Sequence, residues 1–376
     1  MRVHDKNDGH VCSNRVGRDS RWSSQNAYVT REPLGVFALI TPWNFPIVIP
    51  AWKTAAALAY GNTVVLKPSE VTPGAACLLA QAIQAAQIPV GAFNLLLGTG
   101  ANLGSALVTH PKVVGISFTG SVATGGKIAL EAISHQKRLQ LEMGGKNPLV
   151  VLDDAQVDVA VECAIDSAFL YTGQRCTASS RVIVTPGIYE KFLQALIERT
   201  EMLRVGDALD PKTQVGPIVN EAQLNKNLFY IDLAAQEGGT IYGGSRGSAS
   251  GYFLKPCIVT ELDNTSRVCR EEIFGPVTSV IRAHDYEDAL AIANDTAYGL
   301  ASGICTTSLK HASHFKRHAK SGLVSVNMST SGVDFHVPFG GRKGSSYGPR
   351  EQGQSAVEFF TVVKTAYVRG GNGDVD

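Results

Sequence analysis

From residue 34 onward the chain keeps repeating one unit: a short apolar run, a turn, then an Ala-rich stretch with helical spacing. Residues 34–40 (LGVFALI) read as a buried strand and 47–59 as the helix that follows. Strand 63–67 (TVVLK) leads to a helix over 73–87, strand 93–97 to one over 101–109, and strand 113–118 to one over 125–134. Strands that follow one another through a helix and short connections run parallel, with a right-handed crossover. The pattern predicts an α/β fold built on a doubly wound parallel sheet. After Gly144-Gly145 the same grammar returns. Strands are expected at 149–152, 181–185, 277–282, 301–306 and 322–326, and helices at 157–171, 189–202, 286–294 and 309–319. Residues 204–275 read as loop-rich, and the tail as a helix near 351–359 and a strand over 361–368.

The length suits two such units. A chain of 376 residues makes two or three domains and leaves room for a cleft between them. With 44% hydrophobic and 18% charged residues the bulk of it folds. The 34 Lys+Arg and 33 Asp+Glu leave a net charge of +1, which gives no electrostatic footprint for nucleic acid or an anionic membrane. The apolar run 47–59 is too short and too interrupted to span a bilayer. The 7 cysteines are scattered with no CxxC pair, which argues against a zinc ribbon. No secretory signal is visible at the start, and a reducing, cytoplasmic setting is the simplest reading. Residues 1–26 stand apart as an atypical extension with little apolar periodicity. His4, His10 and Cys12 lie close together there without a scaffold for a metal. His311, His314 and His318 share one helical face, but Lys310, Lys316, Arg317 and Lys320 around them oppose cation binding, so a solvated face is expected.

Five places carry chemistry. Cys176 in GQRCTASSR follows Arg175, and a cation beside a thiol favours the nucleophilic thiolate; the alternative is a buried structural cysteine. Glu142 in LEMGGKNP leaves a strand end beside two glycines, where open α/β sheets place ligands. Asn44 in TPWNFP sits between prolines and beside Trp43 and Phe45. Such a rigid loop could aim an amide at an oxyanion, or form an Asx turn before a helix. Two glycine turns, 98–104 (GTGANLG) and 120–125 (GSVATG), join strand to helix, and either could cradle a phosphate. Lys67 and Glu70 in KPSE end a strand where a carboxylate could accept ribose hydroxyls, or could form a surface ion pair.

PWNFP at 42–46, KPSE at 67–70, FTGS at 118–121, LEMGGKNP at 141–148, GQRC at 173–176, EEIFGPV at 271–277 and PFGG at 338–341 occur in this order. Together they resemble the NAD(P)-dependent aldehyde dehydrogenase superfamily, from about Val29 to Val368. The resemblance implies an aldehyde dehydrogenase-like fold of two doubly wound parallel-sheet domains plus a small β oligomerisation element. Its expected bounds are a cofactor-binding domain over 27–143 (27–33 in the oligomerisation hairpin), a catalytic domain over 144–345, and a C-terminal helix and oligomerisation strand over 346–376. It also implies a longer stretch before Pro42 than this chain carries, so the chain looks N-terminally truncated, and a catalytically inactive homologue or partner subunit is the competing reading.

Residue by residue, the resemblance implies Cys176 as nucleophile, Asn44 and the Cys176 backbone N–H as oxyanion donors, and Glu142 as the base that activates water. Trp43, Gly120 and Ser121, with Lys67 and Glu70 at the adenosine ribose and Glu272 and Phe274 at the nicotinamide ribose, would hold the cofactor. Glu70 would repel a 2′-phosphate, which favours NAD over NADP. The partners implied are a small aldehyde and further copies of the chain, in a homodimer or homotetramer. LEMGGKNP, GQRCTASSR and PFGGRKGSSYGPREQG look most like the α-ketoglutaric semialdehyde dehydrogenases. There Arg175 is expected to pair with the substrate's far carboxylate. Ala51-Trp52-Lys53 stands where some semialdehyde dehydrogenases carry an Arg, which keeps succinic semialdehyde and aromatic or aliphatic aldehydes in view.

Overall fold

A computed structural model describes residues 25–247 and 251–369. His4, His10 and Cys12 lie outside the described residues. Two parallel sheets form, as the alternation predicts. The first has 6 strands in the order Ser346–Tyr347, Arg138–Glu142, Val113–Thr119, Val36–Ile40, Thr63–Lys67 and Phe93–Leu95. Only the short edge strand Ser346–Tyr347 runs antiparallel in it. The second has 7 strands in the order Leu323–Val326, Ala301–Cys305, Asn147–Val151, Ser179–Val184, Val277–Arg282, Cys257–Thr260 and Thr240–Gly243. Its last strand is the antiparallel one. Asn147–Val151 and Ala301–Cys305 are buried at every residue, as strands covered by helices on both faces must be. A third, 2-stranded sheet pairs Gln25–Pro33 antiparallel with Thr361–Arg369. No helix among the described residues is long and apolar enough to cross a membrane.

The stretch 204–275 corrects the sequence reading. It holds the helix Glu221–Gln236, strands Thr240–Gly243 and Cys257–Thr260, and the short helix Arg267–Arg270. Asn220 caps the first of these, its side chain accepting from the Gln223 N–H. The buried face is Leu224, Asn227, Tyr230, Ile231 and Ala234. A polar residue in the middle of that stripe hides the period. Asn227 is buried because its amide donates to the Ile273 carbonyl at 3.2 Å, while Gly275 leaves it space. Helix 125–134 starts earlier than expected, at Val122, because Ser121 caps it by accepting from Thr124 N–H at 3.2 Å. The helix expected over 157–171 stops at Ala168. Tyr171, Thr172 and Gly173 then take φ of 54°, 59° and 62°, which turns the chain sharply ahead of Cys176. The three histidines at 311–318 lie on a largely exposed face, as expected: Tyr286 stacks on His311 at 4.4 Å and hydrogen-bonds the exposed His314 at 2.8 Å, and His314 stacks on the exposed His318 at 4.0 Å.

The tail is tied to the first sheet through aromatic contacts. Phe359 and Phe360, both fully buried, meet Phe37 edge-on at 5.2 and 4.9 Å. Asn62 adds a polar staple, accepting from the Leu34 and Gly35 N–H groups and donating to the Phe360 carbonyl at 2.8 Å. Phe359→Ala is expected to cost about 3–5 kcal/mol through the cavity it leaves. A urea midpoint that did not move would show that the tail lies outside the cooperative unit.

Candidate active site

One row of cross-strand partners aligns the motifs of the first sheet. Lys67 pairs with Ile40, Ile40 with Phe118, and Phe118 with Leu141. Each is at or one residue from the carboxyl end of its strand, so the segments starting at Pro42, Pro68, Thr119 and Glu142 all leave at the same edge. Ligands bind at that edge in open α/β sheets. The chain then passes from strand Arg138–Glu142 through the Gly144-Gly145 turn into strand Asn147–Val151 of the second sheet. The second sheet presents amino ends: Cys176 precedes strand Ser179–Val184, and Glu272 to Phe274 precede strand Val277–Arg282.

Between these two edges lies a cavity of about 170 Å³. Its wall takes Trp43 and Asn44 from the first loop, Gly120 and Ser121 from the third, and Cys176, Glu272 and Phe274 from the second sheet. Residues far apart in sequence thus share one space. Of the two glycine turns, only Gly120-Ser121 borders it. Gln223 and Lys226 line it as well. Sequence reasoning missed both, because it missed their helix; the Asn220 cap was the signal that could have found them. Gln223 Nε2 donates to the Ile273 and Phe274 carbonyls at 2.9 and 3.0 Å, which fixes the turn that carries Glu272.

The backbone around Cys176 is held firmly. Asn147 Nδ2 donates to the carbonyls of Cys176 at 2.7 Å and Ala178 at 2.9 Å, while its Oδ1 accepts from Ala301 N–H at 2.9 Å. Asn44 Nδ2 donates to the Gln174 carbonyl at 3.0 Å, which sets its amide beside the same turn. Arg175 departs from expectation. Its guanidinium turns away to donate to the Asp166 carbonyl, lies 4.0 Å from the Asp166 carboxylate, and sits 5.3 Å over the Tyr171 ring. It does not border the cavity of Cys176. The cation expected to favour the thiolate is engaged by Asp166 and Tyr171 instead. Burial, then Glu142 and Glu272, push the Cys176 thiol up to about 12.

Glu142 is buried and Glu272 half-buried. Glu142 is 2% exposed and sits beside the cavity wall made by Met143 and Gly144 without bordering the cavity itself. Burial, and then the neighbouring Glu351, raise its pKa well above the usual range, against a hydrogen bond from Ser346. Glu351 in turn pairs with the buried Lys53, whose Nζ also donates to Ser117 Oγ at 2.7 Å. Glu272 Oε1 accepts from the Gly145 N–H at 3.0 Å. A Cβ on Gly144 would fall 2.1 Å from that oxygen, so any side chain there would push the Glu272 carboxylate from its place. Burial raises the Glu272 pKa too. Phe274 holds a φ of 63°, strained for an aromatic residue, and packs edge-on against Trp43 at 5.5 Å.

Lys67 and Glu70 lie on the same sheet edge but off this cavity. Lys67 is buried, and its Nζ is 3.0 Å from the half-exposed Glu70 carboxylate. The Glu70 pKa is lowered first by its own backbone N–H and also by Lys67.

Because the thiol is held high by like charge and burial, alkylation of Cys176 by iodoacetamide should rise steadily from pH 7 to pH 10 without a plateau. Removing a negative neighbour with Glu272→Gln should speed it at every pH in that range. A plateau near pH 8 in the unmodified protein would show that the thiolate is already formed there.

The chain matches the aldehyde dehydrogenase family over residues 8–366. The match reaches back into the 1–26 stretch that its composition had set apart. An α-ketoglutarate semialdehyde dehydrogenase of Haloferax volcanii is 43% identical over 348 residues, covering 91% of this chain and 72% of the relative. A betaine aldehyde dehydrogenase of Brucella anthropi is 42% identical over 371 residues, covering 97% and 76%. The crystal structure of betaine aldehyde dehydrogenase from Staphylococcus aureus in complex with NAD+ superposes with a TM-score of 0.91 at 35% identity, covering 95% of this chain and 71% of that one. With its two sheets, its shared cavity and these matches, the chain belongs to the aldehyde dehydrogenase family.

Proposed function

We propose that the protein oxidises an aldehyde to a carboxylic acid with NAD, through a thioester on Cys176, and that its substrate is α-ketoglutaric semialdehyde. The observation that carries the chemistry is the single cavity that joins Cys176 and Asn44 to Gly120, Ser121, Glu272 and Phe274. The substrate reading is supported by the Haloferax volcanii relative.

The residues present fit a dinucleotide. Gly120 closes the strand tightly, since a Cβ there would meet the Phe118 ring at 2.5 Å. Ser121 caps a helix of 13 residues, whose remaining first-turn N–H groups are left for an anion or water. Gly120 and Ser121 would hold the phosphates, and Glu272, with Lys226 near it, a ribose. Lys67 and Glu70 would hold the second ribose. The carboxylate of Glu70 disfavours a 2′-phosphate, which is the ground for NAD over NADP.

The chain's own groups do the following. Cys176, once deprotonated, adds through sulfur to the aldehyde carbon, and the carbonyl pair moves onto oxygen. Asn44 Nδ2 and the Cys176 backbone N–H stabilise that oxyanion. When bound, the nicotinamide supplies the hydride acceptor that turns the adduct into an acyl thioester. Water then adds to the thioester carbon as Glu142 takes its proton. The C–S bond breaks with its electron pair on sulfur, and the acid leaves. The ribbon Gln25–Pro33 with Thr361–Arg369 carries exposed Tyr28, Val29, Val362, Val363 and Tyr367. This supports pairing with another copy in a homodimer or homotetramer.

Cys176→Ala should abolish NADH formation with any aldehyde and leave NAD binding near its original strength; turnover in that variant would remove the thiol from the mechanism. Glu142→Gln should give a burst of NADH followed by slow turnover, and loss of the burst itself would place Glu142 before hydride transfer. The substrate reading is tested by kcat/KM for α-ketoglutaric semialdehyde against betaine aldehyde, expected to favour the former by at least about tenfold, or about 1.4 kcal/mol. Arg175→Ala should lower kcat/KM alike for this substrate and for propanal, since the guanidinium is held by Asp166 and Tyr171. A loss confined to the charged substrate would restore Arg175 as its partner.

A further inference from the structure

Glu142 is held in a slot that the chemistry just described does not use. Ser346 stands directly opposite it on the antiparallel edge strand Ser346–Tyr347. Ser346 Oγ donates to Glu142 Oε2 at 2.5 Å. The same Oγ accepts from the Gly341 N–H at 2.6 Å. A hydroxyl has one proton, so the bond from Gly341 aims that proton at the carboxylate. On the other side lies Gly340, where an added Cβ would fall 2.7 Å from Glu142 Oε1. The carboxyl group is thus seated between Gly340 and Ser346, and it does not border the cavity where Cys176 meets Asn44.

A base that must take a proton from water at the thioester has to leave this slot by turning its side chain. We infer that Ser346 is a positioning residue that latches the Glu142 carboxylate in its withdrawn place, so that breaking this one hydrogen bond admits the base to the cavity. The inference rests on the reading of Glu142 as the base for thioester hydrolysis.

The latch has a kinetic signature. A hydroxyl bonds a carboxylate more strongly than a carboxylic acid, so the latch holds mainly the ionised form. It therefore lowers both the fraction of ionised Glu142 free to act and the apparent pKa of hydrolysis, by the same factor. Removing it should raise the alkaline plateau of the hydrolysis rate about tenfold and move the apparent pKa up about one unit, the scale of one hydrogen bond to a charged group. The acid limb, where Glu142 is protonated in either place, should hardly move. Glu351, Lys53, Arg350 and the Cys176 thiol are the charged or titratable groups that face Glu142, and all of them stay in the variant.

The experiment is rapid mixing of the protein with NAD and aldehyde, following the phase after the NADH burst from pH 5 to pH 9. It compares the unmodified protein with Ser346→Ala, Ser346→Thr, Glu142→Gln and the double variant Ser346→Ala/Glu142→Gln. The expected result is a raised plateau and raised pKa in Ser346→Ala, restoration by Ser346→Thr, which keeps the hydroxyl, and no effect of Ser346→Ala once Glu142 is Gln. A uniform change at all pH values, or the same change in the Glu142→Gln background, would overturn the latch and leave Ser346 a structural residue. If Glu142→Gln alone leaves the slow phase unchanged, the reading of Glu142 as base fails first, and the two failures are told apart.

Discussion

The guanidinium of Arg181, fully buried and without a carboxylate partner, is the interaction on which the site's geometry hangs. Its fork donates twice to the Lys146 carbonyl, at 3.1 and 2.9 Å, and to the carbonyls of Ile292 and Ala293 at 2.9 and 3.1 Å. Asn264 Oδ1 accepts from it at 2.8 Å. The helix Tyr286–Asn294 ends there, the Ile292 carbonyl also accepts from the Asp295 N–H at 3.2 Å, and the buried cation answers that helix end. A charge taken out of water survives only if every donor is placed, so the Gly144–Asn147 turn cannot drift from that helix end. From the turn follow Gly145, whose N–H holds Glu272, and Asn147, which holds the carbonyl of Cys176. One satisfied cation thereby sets a carboxylate and a nucleophile that precede different strands.

Much of this was legible in the sequence, for a physical reason. Buried parallel strands must be apolar and helix-linked, so the strand ends could be placed, and the strand ends are where this fold assembles a site. Asn44, Gly120, Ser121, Cys176, Glu272 and Phe274 share one wall because their segments leave facing sheet edges. Arg175 shows what adjacency in sequence cannot give. Three successive residues with positive φ precede it, and after that turn neighbouring side chains go to different surroundings, one to Asp166 and one to the cavity. Asn227 shows the converse. A polar side chain buried inside the protein, its amide N–H answered by a carbonyl, looks like a break in a helical stripe, and the helix carrying Gln223 and Lys226 vanished from the pattern with it.

The site keeps its acids in different ways. Glu272 accepts from a backbone N–H, against a glycine whose missing side chain leaves room for the carboxylate. Glu142 shares its buried surroundings with Glu351, itself paired with Lys53. Burial raises both carboxyl pKa values, and the two acids raise that of the thiol between the sheets. Reactivity here is withheld by environment, and for Glu142 also by its place outside the cavity.

The ribbon formed by Gln25–Pro33 and Thr361–Arg369 has a consequence for how the protein is made. Pro33 faces Thr361 and Gln25 faces Arg369, so strands near opposite ends of the chain are immediate neighbours. Contacts of that span close late, after loop entropy has been overcome by everything between them. During synthesis from the amino end, the strand Gln25–Pro33 is made long before Thr361–Arg369, and until then its edge toward that partner stays open. Throughout that interval its backbone can pair with the same strand of another nascent chain, so the order of translation bears on whether the ribbon closes within one molecule or between two.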